Sequence, residues 1–204
     1  MKNIFLIFTI IFSLFFNLKA ISSENDKKII KKKIEGINFP VQILKNEFIS
    51  KNSVFVLEHR PGAIIEIQNF NDDNIEPKIN TVLDLASLVT EVDNWEPGVM
   101  GFAFSPNFKE DKIIFVTYSN KKNQLVLSKF KYIMETKKAL ISSEEKVLVI
   151  DRFHPIGEQD DHVGGTIKFN PIDNHLYISS GDNRRPDQSQ NINKFYGKIL
   201  RINP

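Results

Sequence analysis

An all-β fold is the class this sequence predicts, on three observations. Three segments share one pattern, in which a phenylalanine precedes a polar turn and then a β-branched or aromatic run. Further short β-forming runs lie between them, and helical periodicity is almost absent.

Taken in order, the first segment is Phe48-Ile49-Ser50-Lys51-Asn52-Ser53-Val54-Phe55-Val56, followed by a strand candidate at residues 63–67. Residues 82–89 are the best helical candidate, though pattern alone leaves strand and helix open. The second segment is Phe104-Ser105-Pro106-Asn107 leading to Ile113-Ile114-Phe115-Val116, with strand candidates at 125–130 and 147–150 behind it. The third runs from Phe169-Asn170-Pro171 through a tight turn to His175-Leu176-Tyr177-Ile178, and a last strand is expected at 198–202. The leading phenylalanines lie 56 and 65 positions apart, a long but workable period for four-stranded propeller blades with insertions. Three such repeats bury their faces only by stacking, so two sheet faces are expected to lack a neighbour. The chain therefore reads as half of a larger ring.

Composition narrows the function classes. The chain has 204 residues, a formal charge of +2 and no cysteine, which excludes disulfides, thiolate metal sites and cysteine nucleophiles. Removing the first twenty residues takes away Lys2 and Lys19 and leaves 25 basic against 25 acidic residues. Nothing in that balance points to nucleic acid. Lys2, the apolar run at 4–16 and Leu18-Lys19-Ala20 read as a secretory signal at residues 1–20, since the run is shorter than the ~20 residues of a membrane span. A polar, lysine-rich leader is expected at 21–35 and the propeller domain at 36–204. Export to the periplasm or medium follows from that reading.

Chemistry concentrates at Asp160-Asp161-His162-Val163-Gly164-Gly165 and the following Leu176-Tyr177-Ile178-Ser179-Ser180-Gly181-Asp182. An ionisable ring stands beside carboxylates at the ends of two expected strands. His162 titrates near neutrality and can accept a proton, while Gly164 and Gly165 allow a flat ligand to come close to the backbone. His59, His154 and His175 lack transition-metal spacings, and Trp95 suits either sugar stacking or a packing plug. There is no glycine-rich dinucleotide fingerprint.

His162-Val163-Gly164-Gly165, Leu176-Tyr177-Ile178, Gly181-Asp182, Gln190-Asn191 and Gly197-Lys198-Ile199-Leu200-Arg201-Ile202 resemble a run in the glucose/sorbosone dehydrogenase family. So do Glu58-His59-Arg60-Pro61-Gly62 and Pro97-Gly98-Val99-Met100-Gly101-Phe102-Ala103-Phe104-Ser105-Pro106-Asn107-Phe108 upstream. The resemblance covers about residues 39–204. It implies a six-bladed β-propeller, of which about three blades are present, and oxidation of an aldose at its anomeric carbon to the lactone. The cofactors implied are pyrroloquinoline quinone (PQQ) and calcium, with an electron acceptor as further partner.

On that resemblance His162 is the general base, and Asp161, Asp182, Glu96 and Gln190 are orienting or substrate groups. Glu96 stands where glucose-oxidising members carry glutamine, a departure that adds a negative charge. Asp161 neighbours His162 in an extended chain and so points away from it, which leaves either a bend or Asp182 to supply the ring's partner. Residues 183–190, with Arg184 and Gln188, are expected to form a lip over the substrate. The family's later arginine-bearing segment, its calcium loop and its cofactor-gripping basic residues have no counterpart here, so no metal ligand is expected in this segment. The stop at Asn203-Pro204 reads as a truncated form, inactive alone. Two other readings stand beside the enzyme: a non-catalytic propeller that binds a ligand or protein, and a functionless fragment.

Overall fold

Each repeat becomes an antiparallel sheet, and the sheets follow one another along the chain. In the first, β1 (Pro40–Leu44), β2 (Val54–Glu58), β3 (Ala63–Gln68) and β4 (Lys78–Asp84) pair in sequence order. The second contains β5 (Val99–Phe104), β6 (Ile113–Ser119) and β7 (Leu125–Ile133), joined by the short β8 (Lys138–Ala139) and by β9 (Glu145–Ile150), both paired with β7. A single helical turn, α1 (Phe108–Asp111), sits in the β5–β6 connection. The third consists of β10 (Gly164–Phe169), β11 (Leu176–Ser180) and β12 (Lys198–Ile202). This computed structural model describes residues 33–90, 96–152 and 161–204. Of two compact units, residues 34–204 form one; the other, residues 1–33, is described only at Lys33. The expected signal segment, Trp95 and His154 therefore lie outside the described residues. No helix among the described residues is long and apolar enough to cross a membrane.

Alternation along each strand sends side chains to opposite sheet faces, and the middle sheet uses both. Phe102, Ile114, Val116, Val126 and Phe130 face the first sheet, where Phe55, Leu57, Ile64 and Leu83 meet them. Ala103, Phe115, Leu125 and Leu127 face the third, against Ile167, Leu176 and Ile178. The middle sheet is sandwiched between two apolar layers, as a propeller blade is, and the three sheets stand as three successive blades. Phe104 sets its ring edge against Phe55, Phe102 and Phe108 at centroid distances of 5.0, 5.8 and 5.1 Å; each such pair adds about 0.5–1.5 kcal/mol to plain burial.

Polar bonds fix the blades to one another. Gln42 on β1 accepts from the Phe102 N–H at 2.8 Å and donates to the Phe102 carbonyl at 3.1 Å. The buried Thr117 hydroxyl on β6 donates to the Gly165 carbonyl of β10. Arg60 donates from Nε and Nη2 to the Pro97 carbonyl at 3.1 and 3.0 Å.

One main-chain bond recurs in every blade, from the residue at or just after the end of the second strand to the residue before the first. It joins His59 N–H to Phe39 O at 3.0 Å, Ser119 N–H to Gly98 O at 2.8 Å and Gly181 N–H to Val163 O at 2.9 Å. At the opposite end, Ser105 N–H to Ile113 O and Asn170 N–H to His175 O, both 3.0 Å, close equivalent turns. Phe104 and Phe169 accordingly end β5 and β10 in matching places. Phe48 does not match them: it lies four residues beyond β1, so the blades begin at residues 40, 99 and 164 and the expected 56-residue spacing was too short. The open segment at 82–89 splits, its start completing β4 and its remainder turning through Leu85 to Val89.

Candidate active site

The β10–β11 hairpin brings residues 161–163 and 181–183 alongside each other at its open end. Beyond the Gly181–Val163 bond, Asn183 N–H donates to His162 O at 3.3 Å. A register slip between Gly164 and Ile167 and left-handed backbone at His162, Gly164 and Gly165 (φ +54°, +75° and +100°) turn the chain sharply at the start of the strand. A left-handed conformation is costly for a non-glycine residue and persists where surrounding bonds over-determine it.

That turn settles the partner of the ring. His162 Nδ1 lies 2.7 Å from Asp182 Oδ1. An ionised carboxylate only accepts, so Nδ1 carries the hydrogen and Nε2 is left as the acceptor. The hydrogen bond to Asp182 raises the imidazole pKa above its ordinary value, helped by the negative charges of Asp182, Asp161 and Glu96. The side chain is 52% exposed, so solvent screens these charges.

Asp161 points elsewhere, to a two-pronged pair with Arg184: Nε donates to Oδ1 at 2.5 Å and Nη2 to Oδ2. The guanidinium holds the Asp161 carboxyl below the usual carboxylate range. Glu96 crosses from the second blade and accepts from the Val163 N–H at 2.9 Å through Oε2. The structure thus brings His162, Asp161, Asp182 and Glu96 into one neighbourhood.

The lip is otherwise self-paired, with Arg185 donating to Asp187 at 3.0 and 2.9 Å and Gln188 Nε2 to Asp187 at 2.5 Å. Gln190 is exposed there. His175 sits at the opposite end of the hairpin, bound within its own turn to Asp173.

A cleft of about 300 Å³ opens beside this cluster, lined by Phe39, Val41, His59, Glu96, Met100, Val163 and Gly164. His59, a weak candidate by sequence, is buried in its wall with Nδ1 2.8 Å from the Val99 carbonyl. The glycines have a packing reason of their own. A Cβ on Gly164 would stand 2.6 Å from Gly181 N, and one on Gly165 2.5 Å from Met100 Cβ. A larger hollow, about 350 Å³ between Lys168, Phe169, Asn170, Pro171 and Tyr177, has no histidine or carboxylate in its lining and lies at the far end of β10.

Residues 39–204 match the glucose/sorbosone dehydrogenase family model. The chain belongs to that family. Among curated glucose/sorbosone dehydrogenase relatives, quinoprotein glucose dehydrogenase B of Acinetobacter calcoaceticus is 25% identical over 213 residues, covering 91% of this chain and 40% of its own length. The PQQ-bound aldose sugar dehydrogenase of Streptomyces coelicolor superposes with a TM-score of 0.69 at 19% identity, over 87% of this chain and 48% of that one. The apo soluble aldose sugar dehydrogenase of Escherichia coli gives 0.62 at 15% identity, over 81% and 44%. These superpositions show the shared fold. The chain spans less than half the length of each of these three relatives.

Arg152 was missed by sequence reasoning. It follows β9 and reaches into the site from the second blade, bonding Asn183 and the Asp161 carbonyl. A lone arginine nine positions before Asp161 and 31 before Asn183 carries no motif, and only the fold assembles its partners.

Proposed function

We propose that this chain supplies the proton-accepting part of a PQQ-dependent dehydrogenase that oxidises an aldose at its anomeric carbon to the lactone. The observation that carries the reading is the His162–Asp182 pair, next in the chain to Val163 of the cleft lining. Oxidising a hemiacetal breaks the anomeric C–H and O–H bonds. The hydride leaves with two electrons, the O–H proton goes to His162 Nε2, and the carbon closes to a carbonyl. Asp182 keeps the ring in the required tautomer and stabilises the imidazolium that forms. Glu96 and the Asp161–Arg184 pair flank the sugar hydroxyls, with Gln190 on the exposed lip.

PQQ, when bound, supplies the hydride acceptor and calcium the Lewis acid that polarises it. The cleft fits a flat ring in one respect, with Phe39, Val41, Met100 and Val163 as apolar wall and Gly164 as floor. Among the described residues its lining holds no lysine or arginine to pair with the cofactor's carboxylates, and no three metal-binding side chains converge. The charged grip and the calcium ligands are left to residues outside those described, and an exported location is proposed beside the Escherichia coli relative, a soluble aldose sugar dehydrogenase. The same lack of cations among the described lining residues favours, as second reading, a propeller that binds a ligand without oxidising it.

The test is a chimaera in which residues 39–204 replace the matched segment of the Streptomyces coelicolor aldose sugar dehydrogenase. Dye-linked oxidation of aldoses, with PQQ and calcium supplied, is expected to fall about 10²- to 10⁴-fold in His162→Gln. A variant within a few-fold of the unaltered chimaera removes the base assignment. Sugar binding without turnover in the unaltered chimaera supports the second reading.

A further inference from the structure

We infer that Arg152 is the positioning residue of the His162–Asp182 pair, a fork from the second blade that sets the angle between the two limbs of the third blade's hairpin. Its guanidinium donates from Nε to Asn183 Oδ1 at 2.6 Å, from Nη1 to Asn123 Oδ1 at 2.8 Å and from Nη2 to the Asp161 carbonyl at 3.0 Å. Asn183 follows Asp182 and Asp161 precedes His162, so the fork holds both members of the pair through their chain neighbours. Asn123 lies in the β6–β7 turn and anchors the fork to its own blade. Both asparagines are buried, 3% and 2% exposed, and both have left-handed backbone at φ +51° and +58°. A rigid planar donor suits such fixed acceptors, and lysine, a single point donor, cannot reproduce it.

The geometry also explains how His162 keeps its left-handed backbone. Asp161 O accepts from Arg152, His162 O from Asn183 N–H and Val163 O from Gly181 N–H, while Val163 N–H donates to Glu96. Peptide groups on both sides of the ring are thus tied. Arg152 alone in this set comes from outside the cleft wall and grips both limbs. Releasing it frees the 161–163 limb to relax and draws the imidazole off Asp182.

This inference rests on His162 being the base, but its test does not need turnover. NMR titration of the His162 ring in the 204-residue chain, assigned with His162→Gln, reads the pair directly. In the parent chain the midpoint lies above that of an ordinary histidine, because Asp182 bonds the ring and the negative charges of Asp161 and Glu96 lie close to it. Arg152→Gln and Arg152→Lys are expected to move it down, and adding Asp182→Asn to Arg152→Gln to move it little further. Phe102→Ala, which loosens the core without touching the fork, leaves the midpoint in place. Should Arg152→Gln not fold, Asn183→Ala removes one arm and carries the same expectation. In the chimaera, Arg152→Lys lowers kcat on the order of 10²-fold with KM nearly unchanged. An unmoved midpoint in the folded fork variants overturns the inference whatever His162→Gln does to activity. A shifted midpoint beside an active His162→Gln sinks the base assignment alone and leaves the positioning intact.

Discussion

Replacing Gly165 by alanine separates two reasons for a glycine at this place. The added Cβ would lie 2.5 Å from Met100 Cβ, 2.8 Å from Met100 Cγ and 3.3 Å from Leu125 Cδ1, where carbon pairs prefer about 3.5–4.0 Å. Met100 Cβ is fixed to the β5 main chain and cannot rotate away, so the strands must part; overpacking of this kind costs about 1–3 kcal/mol. The φ of +100° adds a backbone cost of about 1–3 kcal/mol for any L side chain. The sum is a destabilisation of about 2–6 kcal/mol. Urea unfolding followed by circular dichroism reads it as a lower midpoint at constant slope. Met100→Gly in the Gly165→Ala background removes the overlap and is expected to show a coupling of about 1–3 kcal/mol, leaving the backbone share. Gly165→Ala within about 0.5 kcal/mol of the parent refutes the packing argument and leaves approach of a ligand as the reason for the residue.

Asp182→Asn lowers the His162 midpoint. A raised folded pKa gives stability that is complete below the unfolded pKa and fades as pH rises through the folded one, so the variant loses stability chiefly on the acid side, measurable by melts across pH. In the chimaera the neutral, base-competent ring builds up over that same rise, and the acid limb of the kcat profile moves to lower pH in Asp182→Asn. Asp161→Asn weakens turnover less than His162→Gln, because its carboxylate is engaged by Arg184; kcat ratios decide. Thr117→Val, losing a buried bond from β6 to β10, costs about 1–3 kcal/mol in urea unfolding. Exported protein begins at Ile21, which N-terminal sequencing checks; material still carrying Met1 contradicts it.

The strands that sequence foresaw are those whose signal is local. Residues 63–67, 113–116 and 198–202 are β-branched or aromatic runs bounded by turns, and each lies within an observed strand. β1 escaped because Pro40 and Gln42 break the pattern, and its place is fixed by the distant bonds from Gln42 to Phe102. The helical turn at Phe108–Asp111 is too short for any periodicity to register. In the site, His162 and Asp182 were visible as ionisable residues at strand ends, and their pairing was one of two alternatives that sequence left open. It depends on the positive φ at His162, which an extended-chain argument cannot supply. Asp161 was expected to point away from the ring unless the chain bends, and its observed partner, Arg184, lies 23 residues downstream.

The main-chain bond repeated in the three blades assigns every site position a pair of counterparts. His162 stands immediately before the accepting residue; the same place holds Asn38 in the first blade and Pro97 in the second. Asp182 stands just after the donor, where the other blades carry Arg60 and Asn120. The hinge-like frame is thus common stock, and what each copy does is decided by two side chains hung on it. Arg60, the counterpart of Asp182, ties its blade to the Pro97 carbonyl next door. One copy of the frame carries a fastener and another the His162–Asp182 pair, on the same recurring main-chain bond.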